Sequence, residues 1–112
     1  MLSKDCTPDR WVMIKINHTS ENIYKILASW YGGYTQGDIW RMNSSVVNVE
    51  EDGDFYNFYG FSGSVYRCHK NAYGMTAYAS SILEKFQDRA KTEMYSMELL
   101  DESTNFMELD YQ

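Results

Sequence analysis

Residues 10–31, RWVMIKINHTSENIYKILASWY, alternate apolar and polar side chains with the two-residue period of β-strands. Successive strand side chains point to opposite faces, so Val12, Ile14 and Ile16 share one face of a run from Arg10 to Asn17. Tyr24, Ile26, Ala28 and Trp30 share a face of a second run, Asn22 to Tyr31, and His18 to Glu21 supplies the turn. Adjacent runs with so short a connection predict an antiparallel pair.

The same period continues downstream. Gly32-Gly33 ends the second run, Gln36-Gly37-Asp38 makes another break, and Ile39 to Val49 reads as a third strand with a kink at Ser44-Ser45. Within Glu51 to Asp54, the Asp52-Gly53 pair favours a tight hairpin turn with positive backbone φ. Phe55 to Phe61 and Val65 to Lys70 follow as strands on either side of Ser62-Gly63-Ser64. Short strands rich in Tyr, Trp, Phe and Val imply an antiparallel meander rather than alternating β-α units.

After Gly74 the period changes. Ala79, Ile82, Leu83, Phe86 and Ala90 have helical spacing, with Lys85, Arg89 and Lys91 toward the end that favours cations. This predicts a helix from about Tyr78 to Lys91, with Ser81 and Glu84 at capping-box spacing. Beyond it, Tyr95, Met97 and Leu99 alternate, as do residues 106–109, which predicts a C-terminal hairpin around a loop at 101–105. Met94 and Met97 also extend the helical stripe, and no Gly or Pro after Gly74 stops it. The expected fold class is therefore α+β, with a meander of about five strands, one helix near residues 78–91 and a C-terminal hairpin. A single domain spans 1–112, with a flexible N-terminal segment at 1–9.

A chain of 112 residues, 44% hydrophobic and 16% aromatic, suits one modest core. The opening MLSKDCTPDRW is charged and no apolar run approaches a membrane span, which implies a cytoplasmic protein without a membrane partner. There Cys6 and Cys68 default to reduced thiols. All ten Lys and Arg lie at or before Lys91, and the net charge of -6 comes from Glu93, Glu98, Asp101, Glu102, Glu108 and Asp110. An acidic tail of this kind disfavours general nucleic-acid binding and suits a basic protein surface.

Apparent chemistry concentrates in GFSGSVYRCHKNAYG, residues 60–74. A nucleophile elbow needs G-x-S-x-G, but Ser64 stands where the second glycine belongs, and a strand follows. Cys68 and His69 are consecutive on a strand and so face opposite ways, which separates them as a thiol-imidazole pair. The alternation groups Arg67 and His69 with Val65, and sets Cys68 with Tyr66 and Lys70. Two cysteines and two histidines lack zinc-ligand spacing, and Glu50, Glu51, Asp52 and Asp54 read as a solvated hairpin tip. The expectation is a protein without catalysis, cofactor or metal, with a small hydrolase using His69 as base kept as an alternative.

Aromatic excess remains. In Phe55 to Phe61 both strand faces carry rings, so either the sheet is covered on both sides or one face is a recognition surface. The candidate binding residues are Arg67, His69, Ser62, Ser64, Arg41, Trp40, Tyr59, Tyr66 and Lys70. They combine aromatic and basic groups with backbone amides freed at Gly32-Gly33 and Ser62-Gly63-Ser64, which suits a protein partner or a nucleotide-like or other anionic ligand. Exposed strand edges also suit a homodimer.

The stretches DRWVMIKI, YKILASWYGGYTQGDIWRMNSS and DFYNFYGFSGSVYRCHKNAYG, within residues 9–74, resemble small proteins encoded by tailed bacteriophages. That group has no settled activity from which site residues carry over. The resemblance implies an accessory protein that inhibits a host or defence component, by contact or by sequestering a signal, in the host cytoplasm.

Overall fold

The computed structural model describes residues 5–18, 21–31 and 39–111. The chain has an α+β fold. The strands are β1 (Arg10–His18), β2 (Glu21–Trp30), β3 (Ile39–Met42), β4 (Val46–Asp52), β5 (Phe55–Gly60), β6 (Val65–His69) and β7 (Ser96–Leu99). A 3-10 turn covers Lys70–Ala72 and one helix, α1, covers Ala77–Thr92. The strands form two antiparallel sheets, ordered β3-β2-β1-β7 and β4-β5-β6, rather than one meander.

The third predicted strand is two strands in different sheets, and Asn43 makes the switch. Its N–H donates to Ile26 O at 3.2 Å, and its Oδ1 accepts from Ile26 N at 2.8 Å. The side chain thus takes the ladder position that a continuing β3 would occupy, while the backbone leaves for β4. The predicted breaks at Gly32-Gly33 and Gln36-Gly37-Asp38 lie outside the described residues. The tight turn forms as predicted in place but is centred on Gly53-Asp54. Asp52 pairs with Phe55, and Gly53 has φ +59 at the first central position, which suits type II′.

The molecule is layered as α1, four-stranded sheet, three-stranded sheet. Val12, Ile14, Leu27 and Met97 face α1 and meet Ala79, Leu83 and Ala90. Trp11, Met13, Tyr24, Ile26 and Ala28 face the other way and meet Val46, Val49, Phe58, Tyr66 and Cys68. The four-stranded sheet is therefore covered on both sides, which is why consecutive Trp11, Val12, Met13 and Ile14 are all buried. Trp11 is central to the inter-sheet core. Its indole N–H donates to His69 O at 2.7 Å, satisfying the one polar group of a fully buried ring.

Three local expectations change. Thr76, not Ser81, caps α1, with its Oγ1 accepting from Ala79 N at 3.1 Å, while Ser81 Oγ donates to Tyr78 O inside the helix. The helix stops at Thr92 without glycine, because Met94 adopts φ +64. Tyr95 N donates to Ala90 O and Met94 N to Lys91 O, the hydrogen-bond pattern of a Schellman end. Of the C-terminal hairpin only the first strand forms: β7 pairs with β1, and residues 101–111 make turns that insert Phe106 between the sheets.

Within the N-terminal segment, residues 5–9 are the described ones and run along β6. Cys6 N donates to Val65 O at 3.0 Å and Arg67 N to Cys6 O at 2.8 Å, a parallel bridge along the edge of β6, and Pro8 is buried. Residues 73–74 likewise extend the β7 side of β1, with Gly74 N donating to Trp11 O. These segments protect sheet edges that would otherwise pair with other chains.

Candidate functional site

Inward residues of the three-stranded sheet belong to the core, and the strand pairing dictates what remains outside. The register places Phe55 opposite His69, Asn57 opposite Arg67 and Tyr59 opposite Val65, and continues through Glu50 and Asp52 on β4. All six β5 and β6 residues are partly exposed. Helix α1 lies on the far side of the other sheet, so this outer face does not receive it.

Arg67 is held there by three contacts. Its Nη1 donates to Asp52 Oδ2 at 2.8 Å and Asn57 Oδ1 at 3.2 Å, and its guanidinium lies 4.1 Å from the Phe55 ring centroid. Stacking and two acceptors fix the orientation of a long side chain that is still 39% exposed. Phe55 also meets the His69 ring edge-on, at 4.9 Å between centroids. A hydrogen bond to Glu50 raises the pKa of Tyr59. Beside Arg67 a shallow groove of about 360 Å³ is lined by Asp5, Cys6, Thr7, Asn57, Val65 and Arg67.

His69 Nδ1 accepts from Asn71 N at 3.0 Å, which caps the 3-10 turn. With Nδ1 accepting, the proton of the neutral ring sits on Nε2. Cys68 faces the opposite side, fully buried, and burial raises its thiol well above the ordinary range. Both cysteines are free thiols. Among the described residues no cluster of His, Cys, Asp and Glu is suited to holding a metal ion.

The sequence-derived candidates do not form one site. Arg67, His69 and Tyr59 share the outer face. Lys70 lies at its end, paired with Glu51 and 5.2 Å from the Tyr56 ring centroid. Ser62 is in the β5–β6 loop, where its N–H donates to Ser44 Oγ at 3.1 Å, and Ser64, the last residue of that loop, is buried. Gly60 N donates to Ser64 O and Phe61 N to Ser45 O, so the amides around 60–64 are engaged within the protein rather than gathered as an anion cradle. Tyr66 is 2% exposed and belongs to the core, where burial raises its pKa. Trp40 packs edge-on against Phe86 under α1, at 5.6 Å. Arg41, its neighbour, points to the opposite face and hydrogen-bonds Cys6, whose pKa burial nonetheless raises to about 11.

Phe55, Asn57, Asp52 and Glu50 complete the outer face but are missing from the sequence-derived set. The hairpin turn at residues 52–55 was a usable signal, because it sets which β4 and β5 residues share a face with Arg67. Compared with known proteins, the chain matches no family model, no curated sequence and no solved structure.

Proposed function

We propose that this protein is a non-catalytic binding protein that inhibits a host or defence protein in the host cytoplasm by direct contact, through the outer face of the three-stranded sheet. The observation that carries this reading is the Arg67 cluster: an arginine held by Asp52 and Asn57 over Phe55, on a partly exposed face with Tyr59, Val65 and His69. A sheet face open to water ordinarily carries polar residues. Aromatic groups around an ordered arginine instead match the composition of interface anchors, which bury area at little further entropic cost. The resemblance to small phage proteins supplies the kind of partner.

The same geometry argues against the anionic-ligand reading. Arg67 and Lys70 are matched by Asp52 and Glu51, and Glu50 and Asp54 stand close by in sequence, so local charge favours a neutral or basic partner surface.

The test is affinity capture from lysate of infected cells, comparing the wild type with an Arg67→Glu/Tyr59→Ser variant verified as folded by circular dichroism. Loss of the captured protein from the variant is the expected result. Equal capture by the two proteins would remove the outer face from the reading.

A further inference from the structure

Among the described residues, one flank of the two-sheet sandwich keeps open edges. β3 pairs only with Leu27–Trp30 of β2, and the chain then crosses to β4, so Asn22 to Tyr24 have no strand on that side among the described residues. β4 is itself terminal in its sheet, in contrast to β6, whose edge Cys6 covers. In a two-residue hairpin the closing pair, here Asp52 and Phe55, is hydrogen-bonded. By alternation Glu50 and Asn48 also address β5, whereas Val49 and Glu51 direct N–H and C=O to the free edge.

Between these edges lies a cleft of about 300 Å³, lined by Glu21, Asn22, Ile23, Tyr24, Ser45, Val46, Val47 and Phe61. Phe61 is 79% exposed at a position where no core requirement explains an aromatic ring. Val47 is the extra residue of the bulge in β4, so the ladder becomes irregular where the cleft begins. At the other end, Glu50, Glu51, Asp52 and Asp54 have only Lys70 and Arg67 as ion-pair partners among the described residues.

We propose that the free edge of β4 takes a basic, extended segment of a partner protein as an added strand, with an apolar side chain of that segment seated in the Tyr24–Val46–Phe61 cleft. This rests on the protein-binding reading above and specifies the kind of segment bound. Backbone pairing supplies affinity and the two ends supply selectivity. β4 has seven residues, so a strand rise of about 3.3 Å places the basic positions roughly 15–20 Å from the apolar anchor. A second copy of this chain is a poorer occupant than a basic segment, because it adds a second set of acidic β4 residues to the interface and no basic residue of that strand to offset them.

The test uses capped synthetic peptides of about ten residues, with leucine near one end and two lysines near the other, in both chain directions, against the full-length protein. NMR-detected amide exchange should show new protection at Val49 and Glu51. Phe61→Ser should weaken binding about tenfold, and Glu51→Pro, which removes an edge N–H without touching the β5 ladder, should abolish it. Glutamate in place of the lysines should also abolish it. Absence of protection at those amides, or peptide binding unchanged in folded Glu51→Pro and Phe61→Ser proteins, would overturn the proposal. Edge protection that grows with protein concentration in the absence of peptide would overturn it in favour of a homodimer. If both edge variants still capture the whole partner from lysate and Arg67→Glu/Tyr59→Ser does not, the edge proposal fails and the outer-face reading stands.

Discussion

Phe106 stacks edge-on against Trp11, 5.1 Å between ring centroids and 62° between planes, although the two residues lie at opposite ends of the chain. The contact belongs to an aromatic cluster with Tyr56, Phe58 and Tyr73. The C-terminal turns thus complete the core, and removing residues 92–112 would take away β7 and Phe106 together. That truncation tests folding, not the acidic tail. Phe106→Ala is expected to cost about 3–5 kcal/mol, read as a lower denaturation midpoint at unchanged m-value. A loss under 1 kcal/mol, on the order of a surface change, would show that the cluster closes without it.

Met94 occupies the left-handed position that ends α1, at φ +64, with 93% of its surface exposed. Its side chain contributes little packing, so the conformational penalty of a Cβ-bearing residue is not offset. Met94→Gly should stabilise the fold by about 0.5–1 kcal/mol, seen as a melting temperature raised by a few degrees.

Gly60 is required for space rather than for positive φ. A Cβ there would stand 2.7 Å from Ser64 Oγ and 3.4 Å from Ser44 Oγ. Gly60→Ala should destabilise by about 1–3 kcal/mol, and Ser64→Ala in the same chain should recover much of that loss by removing the nearer atom. Equal effects in the single and double variants, measured by chemical denaturation, would place the strain elsewhere.

Alkali should unfold the protein through buried groups that hold their protons more tightly when folded. Burial pushes Tyr73 up to about 12 and Cys6 up to about 11, and raises Tyr66 and Tyr111 further. For an acid with a raised folded pKa, the stabilisation is complete below the unfolded pKa and is lost as pH rises through the folded value. Stability should therefore fall between about pH 9 and 12. Tyrosinate absorbance for these rings should develop together with the loss of far-ultraviolet circular dichroism, not before it.

Tyr73 also holds the chain ends in register. Its hydroxyl accepts from Met13 N at 3.2 Å and donates to Leu100 O at 2.5 Å. Tyr73→Phe leaves two backbone groups short of a partner and should cost about 1–3 kcal/mol, accompanied by faster amide exchange at Met13.

The residues that alternate were legible as strands because alternation is a property of the local backbone: neighbouring side chains must face apart. The same geometry already separated Cys68 from His69 and grouped Val65 with Arg67 and His69, and the helical spacing from Ala79 to Ala90 located α1. Sheet membership, in contrast, is set by which distant strand supplies the hydrogen bonds. Ile39 to Val49 reads as one strand with a kink at Ser44-Ser45, and it is Asn43, pairing with Ile26, that places the two parts in different sheets. The site follows the same division. Alternation put Arg67 and His69 on one face, but only cross-strand pairing brought Asp52, Asn57 and Phe55 to Arg67 and closed Tyr66 into the core, because those contacts join residues far apart along the chain.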